Sequence, residues 1–578
     1  MPVKVSYPGV YIDEVKSSVR TITGVPTSIA AFVGWAPRGR TDRPVHITSW
    51  ADYEKQFGGV HRDSAMSYAV EQFYRNGGAE AEVVRLVPND DPDKPLLLPI
   101  GEKKGVGRPG GDDPRPQLAP IGPGAWARKL RARVEEVLGD DDKPREDVYN
   151  LRIFDKGTGV EETYLNISVN PESSRSLRNV LKGSQLVKWF KDGKDPKEPP
   201  AANKTDDKVN DQLRDDAPDE PDGTPSAENG EEGEEGGESS PQPGRGGDDP
   251  SGGRYTTVDL KKVPEDARPT AEDYIGEGTE AGKRGLYQLL KTDIFNILCL
   301  PEVTQSEDLK PEARQDLLSK AVDLCVKQRA ILLVDPPAEW TAATTADDVV
   351  ELAKKLPLQS GDARNAAIYF PRILASDSRR DGLVRDFPPC GVMAGVMART
   401  DAQRGVWKAP AGTDASLNGV QGLEMPLTDL ENGRLNPLGV NCLRELPAVG
   451  PVAWGARTMR GNDQLTDEWK YLPVRRLALF VEESLFRGTQ WVVFEPNDEP
   501  LWASIRLNIG AFMNSLFREG AFQGRTPAEA YLVKCDRENN PQNDIDRGIV
   551  NIQVGFAPLK PAEFVIIHIQ QLAGQVQV

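Results

Sequence analysis

LFVEESLFRGTQWVVFEPNDEPLW (479–502), PAEAYLVKCD (527–536) and GFAPLKPAEFVIIHIQ (555–570) decide how this chain is read. Leu477, Phe480, Val481, Ser484 and Leu485 recur at helical spacing and predict a helix that stops near Gly488. WVVFEP (491–496) reads as a strand, and LWASIRLNIGAFMNSLFREG (501–520) places Ile505, Ile509, Phe512, Met513 and Leu516 on one stripe of a second helix. YLVKCD reads as the next strand. Val550, Ile552, Val554 and Phe556 then alternate with Asn551, Gln553 and Gly555, the pattern of a half-buried strand. EFVIIHIQ sets Phe564, Ile566 and His568 on one face and Val565, Ile567 and Ile569 on the other, and a last strand apolar on both faces needs cover on both sides.

At the other end, residues 1–25 alternate short apolar pairs, Val3 with Val5 and Val10 with Ile12, with Pro8, Gly9 and charges. This is an arm of one or two strands with too few apolar residues to fold alone, so it must pair with something. In 26–88, SIAAFVGWA and PVHIT read as strands, and SWADYEKQFGG as a short helix from a Ser49 cap to Gly58. DSAMSYAVEQFYRNGG reads as a helix capped by Asp63 or Ser64 and ended by Gly77 and Gly78, and AEVVRLV as a strand. DIFNILCLPEV (293–303), RAILLVDPP (329–337), AAIYFPRI (366–373) and GVMAGVMARTD (391–401) read as further strands. PEARQDLLSKAVDLCVKQR and TADDVVELAKKL, the latter capped by Thr345, read as helices between them.

The order predicts a mixed α/β middle domain made from 26–88 and 281–405, with 406–578 as a separate carboxyl-terminal domain. The fold class is thus multidomain α/β and α+β, as a chain of 578 residues requires. Residues 89–280 interrupt the middle domain. They are β-rich at ARKLRARVEEV, YNLRIFD and ETYLNISV, and low in complexity at 191–253, where 19 acidic and 7 basic side chains carry two thirds of a net charge of −18. That stretch buries too little apolar surface to offset its ordering entropy and is expected to be a mobile loop in an outward-facing insertion.

Composition and motifs exclude more than they assign. An acidic surface repels phosphate, which argues against nucleic acid and anionic membrane as partners. Cys299, Cys325, Cys390, Cys442 and Cys535 are odd in number, widely spaced and without CxxC, the pattern of reduced, buried thiols in a cytoplasm. MPVKVSYPGVYIDEV lacks the apolar core of a signal peptide, and no apolar run is long enough to span a membrane. His46, His61 and His568 lack metal-binding or triad spacing. GEGTEAGKRG (276–285) imitates a phosphate loop, but Gly276 and Gly282 are six apart and Arg284 stands where Ser or Thr is needed, so a loop tip explains it better. Asp536, Asp544 and Asp546 lack the Gly and Glu of a calcium loop and read as an Asn- and Asp-rich turn. No catalytic, cofactor-binding or metal-binding residue is assigned, and no cofactor is expected.

Several blocks share a resemblance. YPGVYIDEV with GVPTSIAAFVGWAPRG, SYAVEQFYRNGG, FPPCGVMAGVMARTDAQRGVWKAPAG, LNPLGVNCLRELPAVGPVAWGARTM and VRRLALFVEESLFRGTQWVVFEPNDEPLW through GFAPLKPAEFVIIHIQ resemble, in this order, the contractile sheath family. That family serves myophage tails, R-type pyocins and phage-tail-like contractile injection systems. The resemblance covers both ends and most of the chain outside 89–280. It implies a structural subunit rather than an enzyme, one that polymerises around an inner tube and contracts to drive the tube through a target envelope. The implied partners are further copies of the chain in hexameric rings, the inner tube protein, and baseplate and terminator or cap proteins. The implied location is the bacterial or host cytoplasm, with possible release of the assembled particle as a virion or tail-like device. By position, Val3, Val5, Val10, Tyr11 and Ile12 lie in a donated arm, and Phe564, Val565, Ile566, Ile567, His568 and Ile569 in an exchanged carboxyl strand. Trp491, Val492, Val493 and Phe494 with Val550, Ile552 and Val554 form the receiving sheet of an inner sheath domain. Ser17, Ser18, Gly24 and Gly548 stand at linkers, as hinges or ordinary turns.

The residues reach the same place on their own, because an arm that cannot fold alone and a terminal strand wanting cover are what strand addition between chains requires. A non-contracting shell or tube, and an α/β enzyme with an acidic insert, are the competing readings.

Overall fold

The computed structural model describes residues 20–88, 96–101, 115–139, 142–190, 198–203, 256–258, 268–276, 278–304, 309–341, 346–354, 358, 360–564 and 566. Its first strand, β1 (Ala30–Gly34), is the buried run AAFVG. β2 (Val45–Ile47) lies antiparallel to β3 (Ala81–Arg85), which runs parallel to β1. Between β2 and β3 stand two helices with the expected ends. Ser49 caps Trp50–Phe57 by accepting from the Asp52 N–H, Gly58 closes it in the left-handed region, and Ser64 caps Ala65–Arg75 by accepting from the Ser67 N–H.

The insertion follows as a separate β unit. β4 (Leu98–Pro99) and β5 (Gln117–Pro120) lead into an antiparallel meander of β6 (Leu130–Leu138), β7 (Pro144–Asp155) and β8 (Val160–Ser168), and β9 (Val187–Trp189) returns to pair with β5. Leu118, Leu130, Leu151, Ile153, Ile167 and Val187 share its core. Residues 204–255, most of the low-complexity stretch, lie outside the described residues, as does the Thr345 cap.

The chain then returns to the main sheet. β10 (Ile297–Cys299), β11 (Ile331–Val334) and β12 (Ala366–Phe370) stack in parallel beside β1. β13 (Ile373–Asp377), β14 (Leu383–Phe387) and β15 (Gly422–Leu423) form a small antiparallel sheet. β16 (Val440–Leu446) joins β12 in parallel, and β17 (Gly450–Ala453) closes that edge antiparallel, completing an eight-stranded sheet in the order β17-β16-β12-β11-β10-β1-β3-β2. Both faces are covered, which is why its central strands read as unbroken apolar runs.

Two expectations are corrected here. GVMAGVMARTD (391–401) is no strand; it belongs to the helix Cys390–Arg404, and the place it was expected to fill in the sheet is taken by β16. Residues 390–398 of that helix are all buried, so no polar face marks its period, and a short apolar run of that kind cannot be told from a strand. Its glycines, poor helix formers in themselves, are what let it pack tightly on a neighbouring helix. A Cβ on Gly391 would lie 2.3 Å from the Ala69 carbonyl oxygen, and one on Gly395 would lie 2.6 Å from that of Phe73, so the two helices touch backbone to backbone. The second correction follows, because the main sheet runs on to Ala453 rather than ending by residue 405.

Candidate functional site

The carboxyl-terminal unit is built on two helices, Leu472–Gly488 and Glu499–Arg518. The stripe Ile505, Ile509, Phe512, Met513 and Leu516 is buried against Leu477, Val481 and Ile22. At about 1.5–3 kcal/mol per buried side chain, that stripe alone contributes on the order of 10 kcal/mol, enough to make a firm platform. On it lies a sheet of only two strands, β18 (Tyr531–Lys534) and β19 (Gln553–Phe556), paired antiparallel with Tyr531 opposite Phe556 and Val533 opposite Val554. Those four side chains pack on the platform, while Leu532 on the other face is more than half exposed. Two strands are marginal as a sheet, and among the described residues no third strand joins either edge.

Both chain ends leave from this unit, and both roots are pinned. At the amino end the Arg20 N–H donates to Asn508 Oδ1 (3.1 Å), its guanidinium lies 4.8 Å from the centre of the Trp491 ring, and Ile22 is buried in the helical core. The Val25 N–H donates to Ser484 Oγ, and Thr27 donates to Asp401, which also holds Arg476 in a buried ion pair at 2.6 Å. Gly24 is exposed but tight: a Cβ there would stand 2.9 Å from Phe480 Cζ.

At the carboxyl end the Ala557 N–H donates to the Ala530 carbonyl, and Glu563 then takes the wholly buried Arg457 guanidinium through Nε at 2.7 Å and Nη2 at 2.6 Å. Burial opposes the Arg457 charge, yet Glu563 and Asp463 outweigh it and raise its pKa. Burial and Glu563 also push the Tyr471 hydroxyl up. Beyond this anchor Phe564 is 75% exposed and Ile566 77% exposed.

The residues expected to act together are brought together only in part. Val554 lies in β19, as expected. Val550 and Ile552 precede that strand, because the backbone beside them is engaged elsewhere: the Ile549 N–H donates to the Asp544 carbonyl, the Asn551 N–H to Asn540 Oδ1 (2.6 Å), and the Asn551 carbonyl accepts from Asn539 Nδ2 (2.9 Å). Trp491, Val492, Val493 and Phe494 form no strand. Gln490–Val492 is a 3-10 turn, Val493 is exposed, and Phe494 is fully exposed with φ +70°. The chain must turn here because helix runs to Gly488 and the next helix is capped by Asp498, so context overrides the β propensity of WVVF.

Phe564 and Ile566 are described but paired with no strand. Val565, Ile567, His568 and Ile569 lie outside the described residues, as do Val3, Val5, Val10, Tyr11, Ile12, Ser17 and Ser18. Gly548 has φ +72°, and its N–H donates to the Ile545 carbonyl, closing the short helix Gln542–Asp546.

The remaining chemistry is structural. Asp536 accepts from the Glu538 N–H and Asp544 from Asn551, so the Asn-rich loop satisfies itself. No group of three metal-ligating side chains occurs among the described residues. His46 sits 3.0 Å from Glu82 on the sheet edge, and the ring of His61 packs edge-on to Trp35. All five cysteines are buried and free. No helix among the described residues is long and apolar enough to cross a membrane. The anchors Arg20, Arg457 and Glu563 were not predicted, since nothing local marks a pair 106 residues apart.

The description "Phage tail sheath protein central domain" matches residues 268–459, and "Phage tail sheath C-terminal domain" matches residues 464–571; together these take in just over half of the chain. The tail sheath protein of Vibrio phage KVP40 is 26% identical over 182 residues, which is 31% of this chain and 26% of that protein, so the match spans about a quarter of its length. A Pseudomonas aeruginosa (strain UCBPP-PA14) protein named as a prophage major tail sheath protein is 25% identical over 53% of this chain and 73% of its own length. The sheath of an extracellular contractile injection system, solved in a contracted state, shares the fold with a TM-score of 0.52 at 19% identity, covering 98% of both chains. With its central and carboxyl-terminal parts both matched by tail sheath descriptions, over just more than half of its length, the chain belongs to the phage tail sheath family.

Proposed function

We propose that the chain is a structural subunit of a contractile sheath, and that it polymerises by completing the β18–β19 sheet with strands from neighbouring copies. The observation that carries this is a sheet that has only two strands among the described residues, laid on a buried helical platform with both chain ends rooted beside it. Strand addition satisfies edge N–H and C=O groups that otherwise invite unregulated aggregation. The proposed donors are Val3, Val5, Val10, Tyr11 and Ile12 of the arm and Phe564 to Ile569 of the tail, and the receiving strands are Tyr531–Lys534 and Gln553–Phe556. Head-to-tail contacts of this kind that do not close build an open helical lattice, the geometry of a tube.

Contraction in this scheme is rigid-body motion between two packings, without a fuel-binding site. The helix Leu472–Gly488 supports it, because its polar side chains rivet the carboxyl-terminal unit to the middle domain: Arg476 to Asp401, Glu483 to Arg329 at 2.8 Å, and Arg487 to Asp293 at 2.8 Å. Flexing is then left to the linkers, Ser17 and Ser18 ahead of the Arg20 anchor and Gly548 at its turn, while Gly24 moves only if Phe480 releases it. The inner tube, a baseplate, a terminator and hexameric rings complete the proposal, with assembly in a bacterial or host cytoplasm.

Negative-stain microscopy of the purified chain tests this. Long striated hollow cylinders are expected, and deletion of residues 1–19 should leave folded monomers that form none. Cylinders that persist unchanged after the deletion would overturn strand donation by the arm.

A further inference from the structure

A cleft of about 500 Å³ opens where the middle domain meets the insertion. Ile121, Trp126 and Leu186 supply apolar lining. Its charged lining is of one sign, Arg38, Arg40, Arg43, Lys55 and Lys182, and no Asp or Glu lines it. In a chain of net charge −18 that is a local inversion. Arg38 is held by Asp155 (3.0 Å) and by the Lys55 carbonyl, and Arg40 is bound by Asp42 through two hydrogen bonds of 2.9 Å. Arg43, Lys55 and Lys182 are exposed, and among the described residues no carboxylate forms an ion pair with them. Asp42 senses the field: burial raises its pKa, but the Arg40 hydrogen bond and the charges of Arg40 and Lys188 pull it below the usual carboxylate range.

The complementary charge is carried by the chain itself. Residues 215–238 contain eleven acidic side chains and no Lys or Arg. The described residues on either side of that region, Asn203 and Thr256, are both bonded to β6, Asn203 to Val134 and Thr256 to Ala132. β6 starts at Leu130, directly after the turn Ala125–Lys129 that places Trp126 in the cleft. The twelve residues from Asn203 to Asp215 can reach about 40 Å when extended, at about 3.3 Å each.

We propose that this cleft is a docking site for an acidic peptide segment and that its occupant is residues 215–238 of the same chain. Tethering favours the chain's own segment over that of another copy, since linkage raises the effective concentration of a segment long enough to span the distance. Occupancy cancels the basic charge of the cleft, so that copies packed side by side present like charge to each other rather than cross-binding. The basis is charge complementarity and tether geometry alone, and it holds whether or not the chain forms a contractile tube.

Zero-length carbodiimide cross-linking of the full chain, with peptide mapping of a mixture of ¹⁴N- and ¹⁵N-labelled protein, tests this. Links from Lys55 and Lys182 to carboxylates of 215–238 within one chain are expected. They should fall several-fold when salt is raised to about 1 M, where the screening length drops to about 3 Å. The double variant R43E/K182E should lose most of the Lys55 links, and thermal melting of that variant shows whether it remains folded. If it does not, the salt titration of the unaltered chain stands as the test. Links that run only between chains, links insensitive to salt, or no links from Lys55 and Lys182 while other lysines react would each overturn the proposal.

Discussion

Replacing Glu563 by glutamine should loosen the root of the carboxyl end without unfolding the rest. Glu563 accepts from Arg457 through both Nε and Nη2, at 2.7 and 2.6 Å, and Arg457 has no exposed surface. Breaking a buried ion pair from one side costs about 3–5 kcal/mol, because the remaining charge is left desolvated. Here that charge keeps company: Asp463 stays 3.0 Å from Nη1, the Asn436 and Gly461 carbonyls accept from the same nitrogen, and glutamine retains one acceptor. The expected loss for Glu563→Gln is therefore about 2 kcal/mol, and for Glu563→Leu about 4 kcal/mol. The cost falls on a local opening, so amide exchange of 557–564 in the unassembled protein should quicken by about thirtyfold, the ratio that 2 kcal/mol represents. Arg457→Met combined with Glu563→Leu should recover most of the loss, because no charge is then left buried. Glu563→Gln with exchange unchanged over 557–564 would show that this pair does not anchor the tail.

Burial pushes the Glu302 carboxyl from 4.5 up to about 8. A carboxyl raised in the folded state is penalised once the pH exceeds its unfolded value, so stability should fall as pH rises from about 4.5 to about 8 and level off above, by a few kcal/mol at most. Glu302→Gln should flatten that slope in denaturation midpoints taken across the range, and an unchanged slope would refute the assignment. Gly391→Ala should cost about 2–3 kcal/mol by forcing apart the Cys390–Arg404 and Ala65–Arg75 helices, whereas helix propensity alone would make the change stabilising by about 1 kcal/mol; the sign in a thermal melt decides. Phe494→Gly should leave the monomer as stable or more stable, since the left-handed backbone costs a non-glycine residue about 1–2 kcal/mol. A clear drop in its melting temperature would show that the exposed ring stabilises the monomer.

What was legible in the sequence was local. Ser49 and Ser64 announce helix starts by chemistry that acts within three residues, and AAFVG and ILLV announce covered strands because both their faces are apolar. The stripe on Glu499–Arg518 was equally readable, since one face of that helix is wet. Reading failed where the environment was uniform or the cause distant. Residues 390–398 are buried all round, so their period is invisible, and the short turn after Gly488 is imposed by helix ends rather than by WVVF. Val550 and Ile552 alternate as a strand should, but the Asn539 and Asn540 amides claim the Asn551 backbone first. The two-stranded sheet was half legible, with Tyr531–Lys534 and Val554 placed as expected and 491–494 not.

Strand exchange between copies is decided by a cryo-EM map of the assembled polymer at a resolution that traces β18 and β19. At least one further strand, built from the arm or tail of another copy, should be hydrogen-bonded to this pair. A map in which the sheet remains two-stranded, or is extended only by the same molecule's own ends, would contradict strand exchange.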